Sequence, residues 1–340
     1  MEEKHCPFVS IVLAVRNAEA LVAKCLGNLV QSDYPAERYE IIVVDDSSTD
    51  GTAQAIQEYL GSLKGHRNIP TISFYRMNKH VGYYSCINHG IRNSRGDIIV
   101  LYAHDLLSEK EWLHAMVDAF DSQAEIGGVY GRVVSNFERL LPPLYFAPVG
   151  MYPLAYKRWV FDAVGFFDER FKSRGDSDFL YRVKNSGIKM GRCDEPPVFH
   201  PLRRLQLRTL IDYAKRRQYD ALLYMKEKKR SKEERVLGGK LTGPAIGSIS
   251  PLGMGAIGLA CAGLVILLFY PEYLIQLVSL LLVGYALTLA LVAGILHIIF
   301  PSTKIKFIDR LRYVFWTPLF LSAILLGRMW GSLRWRVFVL

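Results

Sequence analysis

The segment Tyr39-Glu-Ile-Ile-Val-Val-Asp-Asp-Ser-Ser-Thr-Asp-Gly-Thr52 decides the fold of this chain. Its apolar, largely β-branched beginning is typical of a buried parallel strand, and at Asp45 the pattern changes to carboxylates and hydroxyls. A helix is predicted to begin at Thr52. In α/β proteins, a polar turn between a parallel strand and a helix is where ligands bind.

Strands and helices alternate on both sides of this segment. The predicted strands are residues 9–15, 40–44, 72–75 and 98–102, and the predicted helices are residues 21–30, 52–60 and around 86–93. This alternation predicts an α/β fold with a doubly wound, mostly parallel sheet. Residues that directly follow a strand are therefore the candidates for ligand binding.

Asp46 is the first such candidate, because a carboxylate at a strand end can accept hydrogen bonds from ribose hydroxyls or a base N–H. No glycine-rich phosphate loop precedes it, which argues against nicotinamide or flavin binding. Helix capping is the simpler interpretation of the polar residues that follow, since Ser48, Thr49 or Asp50 can cap the next helix without a ligand. Capping accounts for Asp50 but not for Asp46 as well.

The last hundred residues have a different composition. Residues 242–271 and 273–303 carry no charged side chain apart from the near-neutral His297. Each run is longer than the ~20 apolar residues that a helix needs to cross a bilayer. Basic residues precede the first run and follow the second, which predicts a cytosolic location for both flanks. We expect a membrane hairpin with helices at about 251–270 and 273–300.

A basic segment precedes these runs. Residues 203–240 contain 13 Lys or Arg against five Asp or Glu, within a chain of net charge +10. Residues 205–229 also repeat apolar side chains at helical spacing, as expected for a helix at the membrane interface, although a solvated surface helix fits the pattern too. The position beside the apolar runs favours anionic lipid over nucleic acid as the partner.

A third apolar stretch, residues 313–327, contains Pro318 and is marginal as a spanning helix. We expect a third membrane element at about 311–331, which is either a span or a re-entrant or interfacial helix. The predicted organisation is an α/β domain (1–202), a basic interfacial region (203–240) and a membrane domain (241–340). The five cysteines show no metal-ligand spacing and are expected to be reduced cytosolic thiols. A homo-oligomer is a further candidate partner of the chain.

A series of motifs in chain order resembles family 2 glycosyltransferases. The motifs are residues 9–17, 31–35, 39–46, 48–52, Gly82 with Asn88, 96–99, 112–113, 163–171, 175–182 and Gly187. The resemblance implies the glycosyltransferase-A fold, an inverting transfer from a nucleotide sugar, and Mg²⁺ or Mn²⁺ as a cofactor.

The resemblance also assigns donor-binding roles. It implies that Asp46 holds the uridine or guanosine part of the donor and that Arg16 lies against the nucleobase, where its planar guanidinium could stack. Ala14 and Asn17, on either side of the Val15-Arg16 pair, are assigned to the same pocket.

The metal site is incomplete by the family's pattern. Asp105 matches the second aspartate of the Asp-any-Asp motif, but Ala103 stands in place of the first. A cation held by one carboxylate, donor phosphates and water is still reasonable, because Mg²⁺ normally keeps several waters. His104 is expected either to contact the diphosphate or to be a surface histidine. His200 is expected either to approach the metal or to serve the structure.

Asp176 matches the family's general base, although Gly175 replaces the glutamate that commonly precedes it. Inversion needs a carboxylate that takes a proton from the acceptor hydroxyl while that oxygen attacks the anomeric carbon. Asp178 follows closely, and we expect it either to lie beside Asp176 or to brace the helix that carries Arg182.

We therefore expect an integral membrane, inverting glycosyltransferase at the cytosolic face, which moves a single sugar from a UDP- or GDP-sugar to a polyprenyl phosphate or lipid-linked saccharide. Membrane lipids are expected partners, and nucleic acid is not. A processive polysaccharide synthase is an alternative, but no tryptophan between Trp159 and Trp316 could supply the Arg-Trp motif of those enzymes. A non-catalytic sugar-nucleotide scaffold is the other alternative, since Ala103 and Gly175 replace two family carboxylates.

Overall fold

The computed structural model describes residues 6–122, 125–135, 153–200, 212, 215–226 and 326–336. The chain forms two compact units. The first comprises residues 1–136 and 147–203, and the second comprises residues 137–146 and 204–340.

The first unit is built on one seven-stranded sheet. Its strands are β1 (Val9–Val15), β2 (Tyr39–Asp45), β3 (Thr71–Arg76), β4 (Ile98–Ala103), β5 (Ile126–Ser135), β6 (Leu154–Lys157) and β7 (Lys189–His200). Its helices are α1 (Glu19–Val30), α2 (Thr52–Ser62), α3 (Tyr83–Arg92), α4 (Trp112–Asp121), α5 (Trp159–Val164) and α6 (Gly175–Asn185), with a short 3-10 turn at Ala36–Arg38. The strand order is β3-β2-β1-β4-β6-β5-β7.

The β3-β2-β1-β4 half of the sheet is parallel and matches the sequence prediction. Every residue of β1 and β2 is buried, as expected for parallel strands that are covered on both faces. The register pairs Val15 with Asp45 and Ala14 with Ala103, so β1, β2 and β4 end at the same edge. The residues that follow these strands are therefore brought together.

The other half of the sheet is mixed. Strand β6 runs antiparallel to both β4 and β5, and β7 is parallel to β5. None of these three strands was predicted from the sequence. The glycines of β5 and the charged residues and prolines of β7 hide the strand pattern, because such residues are depleted in strands. Together, strands β5, β6 and β7 bring the end of β7 to the end of β4.

The second unit is described only in part. Residues 215–217 are helical and are followed by α7 (Tyr219–Lys226), and residues 326–334 form a further helix. The described part of the predicted interfacial region is therefore helical. The predicted helices at 251–270 and 273–300 lie outside the described residues, as does the predicted third element up to residue 325. Within the described ranges, no helix is both long and apolar enough to cross a membrane.

Candidate active site

The candidate site begins at the edge where β1, β2 and β4 end. Arg16 follows β1, Asp46 follows β2, and His104 follows β4. The Arg16 guanidinium donates from Nη1 to the backbone oxygen of Asp46 at 3.0 Å, which ties the first two loops together. Ala14 is the last but one residue of β1 and is buried. The structure thus gathers the residues that the sequence assigned to the donor pocket.

Asp46 is buried, and its carboxylate organises the loop before α3. The backbone N–H of Val81 donates to Oδ1 at 2.7 Å, and that of Gly82 donates to Oδ2 at 3.0 Å. His80 approaches Oδ2 through Nδ1 at 2.7 Å. His80 could not be predicted as a partner of Asp46, because no local sequence pattern shows that this loop returns to the end of β2.

Asn17 joins the loop after β1 to the loop after β2. Its backbone N–H donates to Ser48 Oγ at 2.9 Å, and its side-chain oxygen accepts from the N–H of Thr49 at 2.9 Å. Asp50 precedes Gly51, the N-cap residue of α2, and its Oδ1 accepts from the N–H of Thr52 at 3.1 Å. Asn17 and the serine and threonine of this turn therefore hold the loops after β1 and β2 together.

Asp105 and His200 meet at the other side of the site. Two backbone hydrogen bonds of 2.9 and 2.7 Å between Leu107 and Phe199 hold the end of β7 against the loop after β4. As a result, His200 Nε2 lies 3.5 Å from Asp105 Oδ2. Ala103 ends β4, and the half-buried His104 follows it.

This pair fits a divalent cation that takes most of its ligands from elsewhere. A carboxylate oxygen and an imidazole nitrogen suit Mn²⁺ and are acceptable to Mg²⁺. No group of three or more His, Cys, Asp or Glu side chains with metal-binding geometry occurs among the described residues. A cation at Asp105 and His200 would therefore depend on phosphate oxygens and water.

Asp176 lies in the first turn of α6, where the Tyr84 side chain from α3 holds it. The Tyr84 hydroxyl accepts from the N–H of Asp176 at 3.1 Å and lies 3.4 Å from Oδ1, to which it donates. Burial, and then the negative charge of Asp176, raise the pKa of Tyr84 well above its ordinary value. The hydroxyl therefore stays protonated and remains a donor.

Gly175 is explained by the same tyrosine. A Cβ at this position would lie 2.6 Å from the Tyr84 ring, closer than packed carbon atoms can approach. The ring also stacks on Phe167, with their centroids 5.6 Å apart. The aromatic ring thus fills the space that a side chain at position 175 would need.

Asp178 braces α6 through a contact with Arg182. It is buried and accepts from Arg182 Nε at 3.1 Å, one helical turn further on. The Arg182 guanidinium also donates to the backbone oxygens of Val164 and, at 2.8 Å, of Phe166. Of the two expectations for Asp178, the structure supports the brace.

Residues 80–84 connect the two parts of the site. The amides of Val81 and Gly82 bind Asp46, and two residues later Tyr84 binds Asp176. The carboxylate expected to hold the nucleoside and the carboxylate expected to act as the base are therefore positioned by one short segment. Sequence patterns could not show this arrangement.

The fold and this edge define an α/β protein that binds its ligand where parallel strands end. The chain belongs to glycosyl transferase family 2, whose family profile matches residues 10–188. It is 30% identical over 136 residues to a dolichyl N-acetyl-α-D-glucosaminyl phosphate 3-β-D-2,3-diacetamido-2,3-dideoxy-β-D-glucuronosyltransferase of Methanococcus voltae, covering 38% of this chain and 41% of that protein. It is 28% identical over 126 residues to an undecaprenyl-phosphate 4-deoxy-4-formamido-L-arabinose transferase of Edwardsiella ictaluri, covering 37% of each. The matches thus span less than half of either relative.

Two solved structures share the fold. The mannosyltransferase PcManGT from Pyrobaculum calidifontis, in complex with GDP-Man and Mn²⁺, has a TM-score of 0.60 at 18% identity, covering 97% of this chain and 89% of that one. Residues 1–349 of S. aureus TarS, in complex with UDP-GlcNAc, have a TM-score of 0.52 at 15% identity, covering 97% and 93%. The predicted glycosyltransferase-A type of catalytic domain is confirmed.

Proposed function

We propose that this protein is a membrane-associated inverting glycosyltransferase that moves one sugar from a UDP- or GDP-sugar to a lipid-linked acceptor at the cytosolic face. The observation that carries the proposal is the position of Asp176. A buried tyrosine holds this carboxylate, and the tyrosine belongs to the same short segment that binds Asp46 at the donor edge. A general base beside a nucleotide pocket is what the inverting reaction requires.

In this reaction Asp176 takes the proton of the acceptor hydroxyl while the oxygen bonds to the anomeric carbon. The bond from that carbon to the diphosphate oxygen breaks on the opposite side, and the nucleoside diphosphate leaves with the electron pair. Asp46 and Arg16 bind and orient the nucleoside. Asp105 and His200 would hold a divalent cation, which supplies positive charge to the departing diphosphate when bound.

The donor and acceptor classes rest on the relatives. PcManGT and TarS were solved with GDP-Man and UDP-GlcNAc, which supports a nucleotide sugar as the donor. The two similar transferases are named for dolichyl phosphate and undecaprenyl phosphate compounds, which supports a polyprenyl-phosphate-linked acceptor. The membrane association rests on sequence alone, on the uncharged runs 242–271 and 273–303 and their basic flanks.

The test replaces Asp176 by Asn, which keeps the size of the side chain but removes the base. Turnover should fall by ~10² to 10⁴ while donor affinity stays nearly constant. Asp162→Asn is the matched control, because Asp162 is an exposed aspartate on α5. A variant at position 176 that retains a tenth of the wild-type turnover would refute the assignment.

A non-catalytic nucleotide-sugar scaffold is the second candidate, favoured by Ala103 in place of the first metal-binding aspartate. Donor hydrolysis, measured with Mg²⁺ or Mn²⁺ and without an acceptor, separates the two. Hydrolysis that is abolished by Asp176→Asn supports the enzyme. Tight donor binding with no turnover of any acceptor supports the scaffold.

A further inference from the structure

The second unit exposes one apolar face of a helix. In residues 326–334, Leu326, Met329, Trp330 and Leu333 repeat at the spacing that places side chains along one side of a helix. They are 65%, 41%, 63% and 75% exposed. Scattered apolar residues on a surface are ordinary, but a continuous stripe of four large ones marks an interaction site. We call these four residues the apolar stripe.

The other side of the same helix buries glycine and charge. Gly331 lies so close to the neighbouring helical segment that a Cβ would be 2.2 Å from the backbone oxygen of Gln218. Arg328 is 6% exposed and donates from Nε to Asp220 Oδ2 at 3.1 Å. Arg217 reaches the same oxygen at 3.4 Å. The ionic face is thus buried, and the apolar face is open.

This arrangement is the reverse of a water-soluble amphipathic helix, which buries its apolar face. It matches helices that contact lipid in three respects. Small residues allow close helix contact, ionisable side chains point inward and pair with one another, and apolar side chains with a tryptophan lie outside. An ordinary protein surface has no reason to combine all three.

The surrounding charge indicates the type of lipid. Among the described residues of this unit, the exposed charged side chains are Lys215, Arg216, Arg334 and Arg336 against Asp212. Four cations against one anion complement a negatively charged headgroup layer. Arg334 and Arg336 directly follow the apolar stripe in sequence, where they can reach phosphates while the stripe enters the acyl region.

We propose that the apolar stripe docks on the surface of an anionic lipid bilayer, with Arg334 and Arg336 at headgroup level. This surface is additional to the uncharged runs on which the membrane association above rests. It does not require catalysis, so it holds or fails independently of the proposed reaction.

The experiment uses the full chain in vesicles of phosphatidylcholine and phosphatidylglycerol, without a sugar donor. The fluorescence emission of Trp330 is obtained by subtracting the spectrum of Trp330→Phe from that of the wild type. We expect lipids with brominated acyl chains to quench most of this emission, and iodide in the water to quench little of it. The control is the emission of Trp159, obtained in the same way from Trp159→Phe, because Trp159 is 47% exposed on α5. Iodide should quench most of this emission, and brominated lipid should quench little of it.

Two results would overturn the proposal. If iodide quenches Trp330 as it quenches Trp159, the stripe faces water. If neither iodide nor brominated lipid quenches Trp330, protein covers the stripe, either another segment of this chain or a second copy. An unchanged melting temperature of Trp330→Phe shows that the variant is folded.

A further arm tests the charge. Two vesicle preparations with the same bromine content carry the bromine either on phosphatidylglycerol or on phosphatidylcholine. The brominated phosphatidylglycerol should quench Trp330 more than the brominated phosphatidylcholine. Replacing both Arg334 and Arg336 by Gln should remove this difference. If the difference persists in that variant, these arginines do not select the anionic lipid, and the headgroup part of the proposal is wrong.

Discussion

At the scale of the residue, the Tyr84 hydroxyl helps to position the Asp176 carboxylate, together with the N–H of Ser177. It contacts both the backbone N–H and the side chain of Asp176, and burial keeps it protonated. A general base must be held within hydrogen-bonding reach of the proton that it takes. Tyr84 is therefore a positioning residue in the proposed reaction, because it acts through Asp176.

Tyr84→Phe removes the hydroxyl and keeps the ring. We expect kcat to fall roughly tenfold with the KM for the nucleotide sugar nearly unchanged, because the lost contact affects the base and not the donor pocket. The melting temperature should change little, since the ring still packs on Phe167. Steady-state kinetics and thermal unfolding measure both. An equal loss of kcat in Tyr34→Phe, whose buried hydroxyl donates to Pro7 instead, would point to a general effect of lost tyrosine hydrogen bonds.

Calorimetric titrations with a nucleotide sugar should distinguish the roles of Asp46 and Asp105. Asp46→Ala should weaken binding with or without metal, because it removes a nucleoside contact and releases the loop at Val81 and Gly82. Asp105→Ala should remove only the metal-dependent part of the affinity. Equal enhancement by Mn²⁺ in the wild type and Asp105→Ala would contradict the metal assignment.

The residues that carry chemistry could be predicted from the sequence, but the residues that hold them could not. Asp46 follows a recognisable strand pattern, and Asp176 was assigned by the resemblance to family 2 glycosyltransferases. His80 and Tyr84 contact them across 34 and 92 positions of sequence, and no periodicity encodes such contacts. Gly175 is a clear example, because the ring that leaves no room for a side chain at this position belongs to Tyr84 on another helix.

At the scale of the element, α3 is fixed to the segment before α6 by one buried amide. Asn88 donates from Nδ2 to the backbone oxygen of Phe167 at 2.9 Å and accepts from the N–H of Phe167 at 3.0 Å. These two bonds keep Tyr84 and Asp176 on facing elements. Asn88 was part of the family resemblance, and the structure gives it this structural role.

Asn88→Ala should destabilise the first unit by about 2–4 kcal/mol, because it leaves two buried backbone groups without partners. The melting temperature should fall by about 5–15 °C for a domain of this size. The control is Asn93→Ala at the exposed end of α3, where Asn93 donates to the oxygen of His89, and it should cost about 0.5 kcal/mol or less. Equal shifts in the two variants would contradict the role of Asn88.

The sheet shows why elements differ in how well they are predicted. The parallel strands β1, β2 and β4 are short apolar runs that end in polar turns, and their pattern alone predicts them. Strands β5 and β7 owe their place to pairing with each other and, for β5, with β6, and so tertiary contacts override weak local preference. Because β7 was not predicted, the route by which His200 reaches Asp105 was not predicted either.

At the scale of the whole molecule, the reactivity of the cysteines can report on folding and on the side of the membrane on which each part of the chain lies. Burial raises the pKa of the Cys25 and Cys86 thiols to about 12 and that of Cys193 to about 11. The unfolded value is about 8.5, so their neutral forms stabilise the fold fully below that pH. This contribution is lost as the pH rises towards 11 to 12.

At pH 8 we therefore expect a maleimide to modify the half-buried Cys6 and to spare Cys25, Cys86 and Cys193 until the protein unfolds. Mass spectrometry of the labelled peptides measures this. The free energy of unfolding should decrease as the pH is raised from about 9 to 11. Native labelling of Cys86 at the rate of the unfolded chain would show that the thiol is not buried.

This protection makes the predicted membrane topology testable in a chain that keeps Cys6, Cys25, Cys86 and Cys193 and has Cys261, within the first uncharged run, replaced by Ser. If the uncharged runs form a hairpin with cytosolic flanks, its turn at Glu272 lies on the far side of the bilayer from the loop at residues 304–312. In sealed vesicles, an impermeant maleimide should label Cys6 and an Ile305→Cys variant from one face and a Glu272→Cys variant from the other. Cys6 reports the side of the first unit without any substitution. Labelling of positions 272 and 305 from the same face would overturn the hairpin, and labelling of Cys6 with position 272 but not 305 would place the catalytic unit on the wrong side of it.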